Sequence, residues 1–405
     1  MSRIIPIAVA GSARAGGSPL HFTSPPPLAL YIHVPWCVKK CPYCDFNSHE
    51  ARLENEEVAY VAALIADLES ALPSVWGRKI SSIFIGGGTP SLLSGDALHE
   101  LLTAVRMRLP LLPEAEITLE ANPGTAEAGK FAAFREAGVN RLSLGIQSFN
   151  DRHLQALGRI HDSAEARFAI ELAKRHFERF NLDLMYGLPE QSLAEAQADL
   201  ETALSFTPPH LSCYQLTLEP NTLFAARPPE LPEGDTCADM QDAIEARLAE
   251  AGYVHYETSA FAKPGYQCRH NLNYWTFGDY LGIGAGAHGK LTLPDQGGFS
   301  VQRQMRWKQP KQYLEQVGAG RPIQEQHGVT VDDLPFEFLM NALRLNQGFD
   351  PALFEQRTGL PLLLVRQQLV AAVDDGLLTQ TAQCIAPTDQ GRRFLNALLT
   401  RFLAA

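Results

Sequence analysis

Apolar and polar positions along this chain alternate in two rhythms. Six short runs rich in β-branched and aliphatic residues recur between about residues 28 and 220: LALYIHV, ISSIFIGGG, AEITLEANP, NRLSLGIQS, FNLDLMYGLP and HLSCYQLTLEP. Segments with a helical repeat and good helix formers separate most of them, EVAYVAALIADLESAL and LAEAQADLETALSF being the clearest. Strands alternating with helices predict a parallel sheet joined by right-handed crossovers. Six such units predict an α/β fold, a partial (β/α)6 barrel. Five of the six runs end in, or lead into, distinctive residues: a cysteine cluster, GGGTPS, EANP, GIQSF and YGLP. Strand C-terminal ends carry the active face of α/β barrels, so these endings are expected on one rim.

The pattern changes on either side of this region. Residues 1–27 are rich in Ser, Pro, Gly and Ala and end in SPPPL, which predicts a disordered leader before a barrel core over 28–235. Residues 236–329 hold a helix, then the aromatic, glycine-rich CRHNLNYWTFGDYLGIGAGAHGK, and are expected to complete the barrel. From 330 to 405 the chain turns mostly helical, which predicts a smaller C-terminal domain resembling a winged-helix module, used for structure or docking. GIGAGAHG loosely resembles a dinucleotide fingerprint. Without a framing strand–helix unit it reads as a close packing loop.

Composition narrows the class. With 45% hydrophobic and 20% charged residues, the chain of 405 residues is that of a globular protein. A net charge of −11 disfavours a nucleic-acid partner. No apolar run approaches the roughly 20 residues of a membrane helix, so no membrane anchor is expected. MSRIIPIAVAGSARA only faintly imitates a secretory signal, and Pro6 interrupts its apolar patch. Seven cysteines, three of them within eight residues, argue against a disulfide framework and for a reducing, cytoplasmic setting with a metal site.

Cys37, Cys41 and Cys44 follow C-x3-C-x2-C. Thiolates are soft ligands suited to iron–sulfur clusters, zinc or copper(I). Structural zinc wants a closed shell of four ligands, which His33 or His49 would have to complete. CPYC alone fits a redox dithiol, but Cys37 is then unexplained. A [4Fe–4S] cluster normally takes four thiolates, so three leave one iron open. Gly86, Gly87 and Gly88 let backbone approach a ligand, and Thr89 follows them. Glu120 can accept hydrogen bonds from hydroxyls or an amine. Arg159 can pair a carboxylate. Gln147 and Asp183 are further polar points near the same face, and Tyr31 and Tyr43 flank the cysteines.

The cysteine spacing, directly after the first strand of a β/α barrel, resembles the signature of the radical S-adenosylmethionine (SAM) superfamily. That resemblance implies a [4Fe–4S] cluster whose open iron is chelated by SAM, the cofactor carrying the chemistry. The order of the later motifs is similar to the branch containing the oxygen-independent coproporphyrinogen III oxidases and the heme chaperones, from about Leu28 to Leu291 and more weakly through the tail. By this resemblance Tyr31, Tyr43, Gly87, Gly88, Thr89, Glu120, Gln147, Arg159 and Asp183 contact SAM. The oxidases extend the motif to C-x3-C-x2-C-x-C. This chain has Phe46 at the fourth position, as the chaperones have an aromatic residue there. It also has their H-N-x-x-Y-W as His270, Asn271, Tyr274 and Trp275. The resemblance therefore implies a heme chaperone handing heme to heme-accepting proteins, respiratory enzymes among them, with the oxidase as the alternative. Imidazole is a usual ligand of heme iron, and Cys268 and His288 rival His270 for that role. Transient membrane contact and a homodimer complete the expectations.

Overall fold

The computed structural model describes residues 20–50, 56–124, 128–295 and 297–403. Its centre is six parallel strands in chain order: β1 (Leu28–Val34), β2 (Ile80–Gly87), β3 (Leu111–Ala121), β4 (Arg141–Gln147), β5 (Arg179–Tyr186) and β6 (His210–Gln215). Parallel strands are covered on both faces and therefore read as near-continuous apolar runs. In β1, Leu28, Ala29, Leu30, Ile32 and Val34 are all buried. The crossover helices include α1 (Glu57–Val75), α2 (Gly95–Arg108), α3 (Ser163–His176) and α4 (Leu193–Ser205). Their starts are written locally. Asp162 with Glu165, and Ser192 with Glu195, form reciprocal capping boxes, and Ser94 caps α2.

The partial barrel is part of a larger sheet. Beyond β6 lie β7 (Val254–Glu257) and β8 (Ala260–Ala262), with β8 antiparallel to β6 and β7 outside it. On the other edge, β9 (Asp279–Ile283) runs parallel to β1. The antiparallel strands β10 (His288–Asp295), β11 (Gly298–Arg306) and β12 (Ile323–Gly328) follow. The full order in this twelve-stranded sheet is β12-β11-β10-β9-β1-β2-β3-β4-β5-β6-β8-β7. Segment 236–329 thus extends both edges, where the sequence suggested only completion of the barrel.

Helix α1 is long and apolar enough to cross a membrane by composition, contrary to the expectation that no such segment exists. Its inner face is nonetheless core: Tyr60, Leu64, Leu68 and Val75 are buried. Asp67 on that face pairs with the buried Arg306, at 3.1 Å, and accepts a hydrogen bond from Tyr313 Oη at 2.9 Å.

The tail has its own core, built on Leu334, Phe338, Phe349, Phe354 and Leu369, with a two-stranded antiparallel pair, Leu378–Gln380 and Ile385–Pro387. Leu20 and Phe22 are buried in this core, and the Phe22 and Phe299 rings meet edge-on at 5.5 Å. The expectation of a disordered leader to residue 27 is therefore corrected for residues 20–27. Two apolar side chains in a Pro-rich stretch suffice to dock it, and Pro26 and Pro27 carbonyls accept from Arg78 and Asp279. Residues 1–19 of that expected leader lie outside the described residues.

Candidate functional site

The cysteine loop leaves β1 through the two-residue strand Trp36–Cys37, which pairs with His49–Glu50. Several contacts hold it in shape. His33 Nε2 lies 2.9 Å from the Asn47 carbonyl. Asn47 Nδ2 donates to the carbonyls of Ala285 and Lys308. GIGAGAHG is the opposing brace: a Cβ on Gly284 would collide with the His33 carbonyl, and one on Gly286 would collide with Asn47 Nδ2. The packing-loop reading of that segment holds.

Cys37, Cys41 and Cys44 are partly buried free thiols on the wall of a cavity of about 300 Å³. Tyr43, Gly87, Gly88, Thr89, Glu120, Gln147, Arg159 and Asp183 line the same cavity. The rim thus brings together eight of the nine residues marked for SAM. The ninth, Tyr31, lines a neighbouring cavity. Its Oη lies 2.7 Å from His33 Nδ1, and its ring centroid is 5.5 Å from that of Phe84.

Backbone does much of the shaping. Gly88 N–H donates to the Val34 carbonyl, and a Cβ there would meet the Trp36 carbonyl at 2.5 Å. Gly87 takes φ of +119°, which L side chains rarely adopt, and its N–H donates to Glu120 Oε2 at 3.3 Å. Gln147 sits at φ of +68°, beside a register break between β4 and β5. Arg159 donates to Asn122 Oδ1 at 2.6 Å, to the Gly145 carbonyl at 2.9 Å and to Cys41 Sγ at 3.6 Å.

Electrostatics follow from the burial of these groups. Burial, and then Asp183, raise the Glu120 carboxyl to about 8. Burial also raises Asp183, against hydrogen bonds from Asn181, Ser212 and Ser143. Burial pushes Cys37 and Cys44 up, so in the free protein these are thiols awaiting a metal.

The donor set fits an iron–sulfur cluster. Three soft donors line the cavity beside an arginine that would offset thiolate charge, and among the described residues no acceptor meets the buried Arg159 Nε, a donor left over for an anionic ligand group. Among the described residues, the donors closed to within 4.8 Å as for a single ion are Glu116, Cys268 and His270, not the three cysteines.

The neighbouring cavity, about 480 Å³, shares Phe46, Gly87 and Glu120 with the first. Its walls are aromatic: Tyr31, Phe84, Tyr274, Trp275, Phe277 and Tyr280, with His33, His288, Lys290 and Arg303. Two residues of the HNLNYW helix, Tyr274 and Trp275, line it. His270 and Asn271 do not. His270 is 5% exposed and stacks on Phe84 at 4.1 Å. Its Nδ1 lies 3.1 Å from Cys268 Sγ and 3.6 Å from Glu116 Oε1. His270 and Asn271, expected among the heme contacts with Tyr274 and Trp275, are thus not on this cavity wall: the helix turns the His270 ring into a buried polar network behind Phe84. Cys268 lies in the same network and is likewise absent from the cavity wall.

Sequence reasoning missed Asn122, Ser143 and Tyr214 in the first cavity. Asn122 was within reach, since it stands in the EANP motif beside Glu120. In the second cavity it missed Phe84, Tyr280, Lys290 and Arg303, which come from four different strands and share no local motif.

A parallel partial barrel with three cysteines after its first strand, facing a glycine and carboxylate rim, is the fold of the radical SAM superfamily, and it implies SAM and a [4Fe–4S] cluster. The radical SAM superfamily model matches residues 31–203, and the HemN C-terminal domain model matches residues 329–394. The heme chaperone HemW of Escherichia coli is 52% identical over 380 residues, covering 94% of this chain and 99% of that protein. The heme chaperone HemW of Mycobacterium tuberculosis is 36% identical over 385 residues, covering 93% and 95%. The structure of coproporphyrinogen III oxidase (HemN) from Escherichia coli superposes with a TM-score of 0.78 at 26% identity, covering 93% of this chain and 90% of that one. The chain belongs to the family of the heme chaperone HemW.

Proposed function

We propose that this protein is a heme chaperone that takes up heme in the aromatic cavity and passes it to heme-accepting proteins, with a [4Fe–4S] cluster and SAM in the cavity next door. The observation that carries this reading is the wall the two cavities share. A pocket of about 480 Å³ falls within the roughly 300–1,000 Å³ typical of ligand sites. Flat aromatic walls suit a flat macrocycle. Trp275 Nε1, on the aromatic wall, is a buried donor with no acceptor among the described residues.

In the first cavity, Cys37, Cys41 and Cys44 would hold the cluster, which supplies an open iron and a one-electron donor. Gly87, Gly88 and Thr89 present backbone to SAM. Glu120 and Asp183 offer carboxyl acceptors, Gln147 an amide, and Tyr43 closes the side next to the cysteines. Arg159 spans from Asn122 to Cys41 and offsets thiolate charge. Phe46, 60% exposed, stands where the two cavities meet. It occupies the place of the fourth cysteine of the oxidase pattern. A cytoplasmic, reducing setting and acceptors among respiratory enzymes belong to the same proposal.

The test is a titration of anaerobically reconstituted protein with hemin, followed at the Soret band. Saturable one-to-one binding at micromolar concentration is the expected result, and its absence with the cluster intact rejects the function. A parallel incubation with coproporphyrinogen III, SAM and reductant should yield no protoporphyrinogen. Turnover there would install the oxidase reading instead.

A further inference from the structure

We propose that His288 supplies the protein's axial ligand to heme iron in the aromatic cavity, in place of the motif histidine His270. The inference rests on heme being the cargo of that cavity, and it follows from which imidazole has a nitrogen to give.

Three histidines compete. His270 is walled off. Its ring lies flat on Phe84, with an interplanar angle of 7°, and its Nδ1 faces Cys268 and Glu116. Phe84 lines the cavity and His270 does not, so iron ligation would require breaking the stack and emptying a buried network that also contains Arg141. His33 lines the cavity but has both nitrogens engaged, Nδ1 with Tyr31 Oη at 2.7 Å and Nε2 with the Asn47 carbonyl at 2.9 Å. Using it would also loosen the cysteine loop that Asn47 braces.

His288 differs on each count. It opens β10 on the cavity rim, it is partly exposed, and among the described residues no hydrogen bond or ion pair engages its ring. The β10–β11 register places His288 opposite Met305 and Lys290 opposite Arg303. Residues two apart on a strand share a face with the residues opposite them, so His288, Lys290 and Arg303 project toward the same cavity. Partial burial, with Lys308 and Arg303 nearby, lowers the proton affinity of His288. The neutral imidazole, which is the ligating form, is therefore favoured near neutral pH. The cavity's tyrosines are poor rivals, since burial raises Tyr31 and Tyr274 and disfavours phenolate.

The test compares wild type, His288→Ala, His288→Gln and His270→Ala, all with reconstituted cluster and matched iron content. Each is titrated with hemin, and the ligation state is read from Soret position and electron paramagnetic resonance. Losing a group that merely supports a metal ligand already costs roughly 10–100-fold in affinity, so His288→Ala and His288→Gln should weaken heme at least that much and shift the Soret band. Added imidazole should restore the wild-type spectrum in His288→Ala. His270→Ala should melt at lower temperature yet keep the wild-type Soret position. Wild-type spectra and affinity in both His288 variants overturn the assignment and leave the chaperone reading standing. Failure of wild type to bind heme overturns both.

Discussion

The two cavities share a wall and are built on opposite plans. The cluster cavity is the smaller, about 300 Å³, and carries the thiols, the carboxyls and an arginine. Its thiols come from the loop that leaves β1, its carboxyls from β3 and β5, and its arginine from the turn after the short helix Asp151–Ala156, and its backbone groups are hydrogen-bonded into place. The aromatic cavity is larger, and its wall comes from β1, β2, β9, β10, β11 and the helix Arg269–Trp275. A cofactor held by coordination demands particular donor atoms at fixed separations, so its site is concentrated in short motifs. A flat apolar cargo demands area, and area can be assembled from many strands. The shared residues Phe46, Gly87 and Glu120 are the places where a ligand in one cavity can be felt in the other.

The largest test of that contrast removes the metal. Replacing Cys37, Cys41 and Cys44 by alanine should take iron from about four per chain to background on anaerobic reconstitution. Hemin uptake should persist, because no cysteine of the three lines the aromatic cavity. Loss of heme uptake along with the iron would mean that the two cavities form a single unit.

A smaller effect should come from the aromatic side. Asp279 lies 2.8 Å from Lys290 Nζ and 2.9 Å from Arg78 Nη1, and both Asp279 and Lys290 are buried. Asp279→Ala leaves the Lys290 ammonium without its carboxylate and should destabilise the protein by about 3–5 kcal/mol in urea unfolding. Little change would mean that Lys290 reaches solvent or a new partner.

The third test lies at the shared wall and reads as a pH dependence. In cluster-free protein, Glu120 titrates near 8 rather than near its ordinary 4.5. The folded state then binds more protons than the unfolded state between these values, so stability falls as pH rises through that window. Wild type and Glu120→Gln should melt alike below about pH 4.5, and the variant should gain steadily up to about pH 8 and level off above it. A parallel pH dependence in the two proteins would place the titration on another group.

Much of the barrel was legible because each strand announces itself within a few residues. LALYIHV coincides with β1, and both capping boxes sit in plain sight at the starts of α3 and α4. The cysteine spacing, the glycine run and Glu120 were equally readable, since each is a local motif on one rim. Tyr31, marked for SAM by the resemblance, lines the neighbouring cavity, which shares Gly87 and Glu120 with the first. His270 was read from its motif, and the motif does not say which way a helix is turned. Tyr274 and Trp275 point to the cavity, while His270 points behind Phe84. Phe22 could not be foreseen as core, because what it packs against, Phe299 and the tail, lies far along the chain.

By itself, then, the sequence determined the alternating barrel, the three thiols and the rim of glycines and acids, because strand periodicity and metal coordination both act over a few residues. Only the tertiary structure decided that β9–β12 extend the sheet beside β1, that an aromatic cavity opens there, and that His288 rather than His270 stands on its rim. Those outcomes depend on strand pairing between residues hundreds of positions apart and on which face of each element is turned inward. Neither is encoded in any single stretch of the chain.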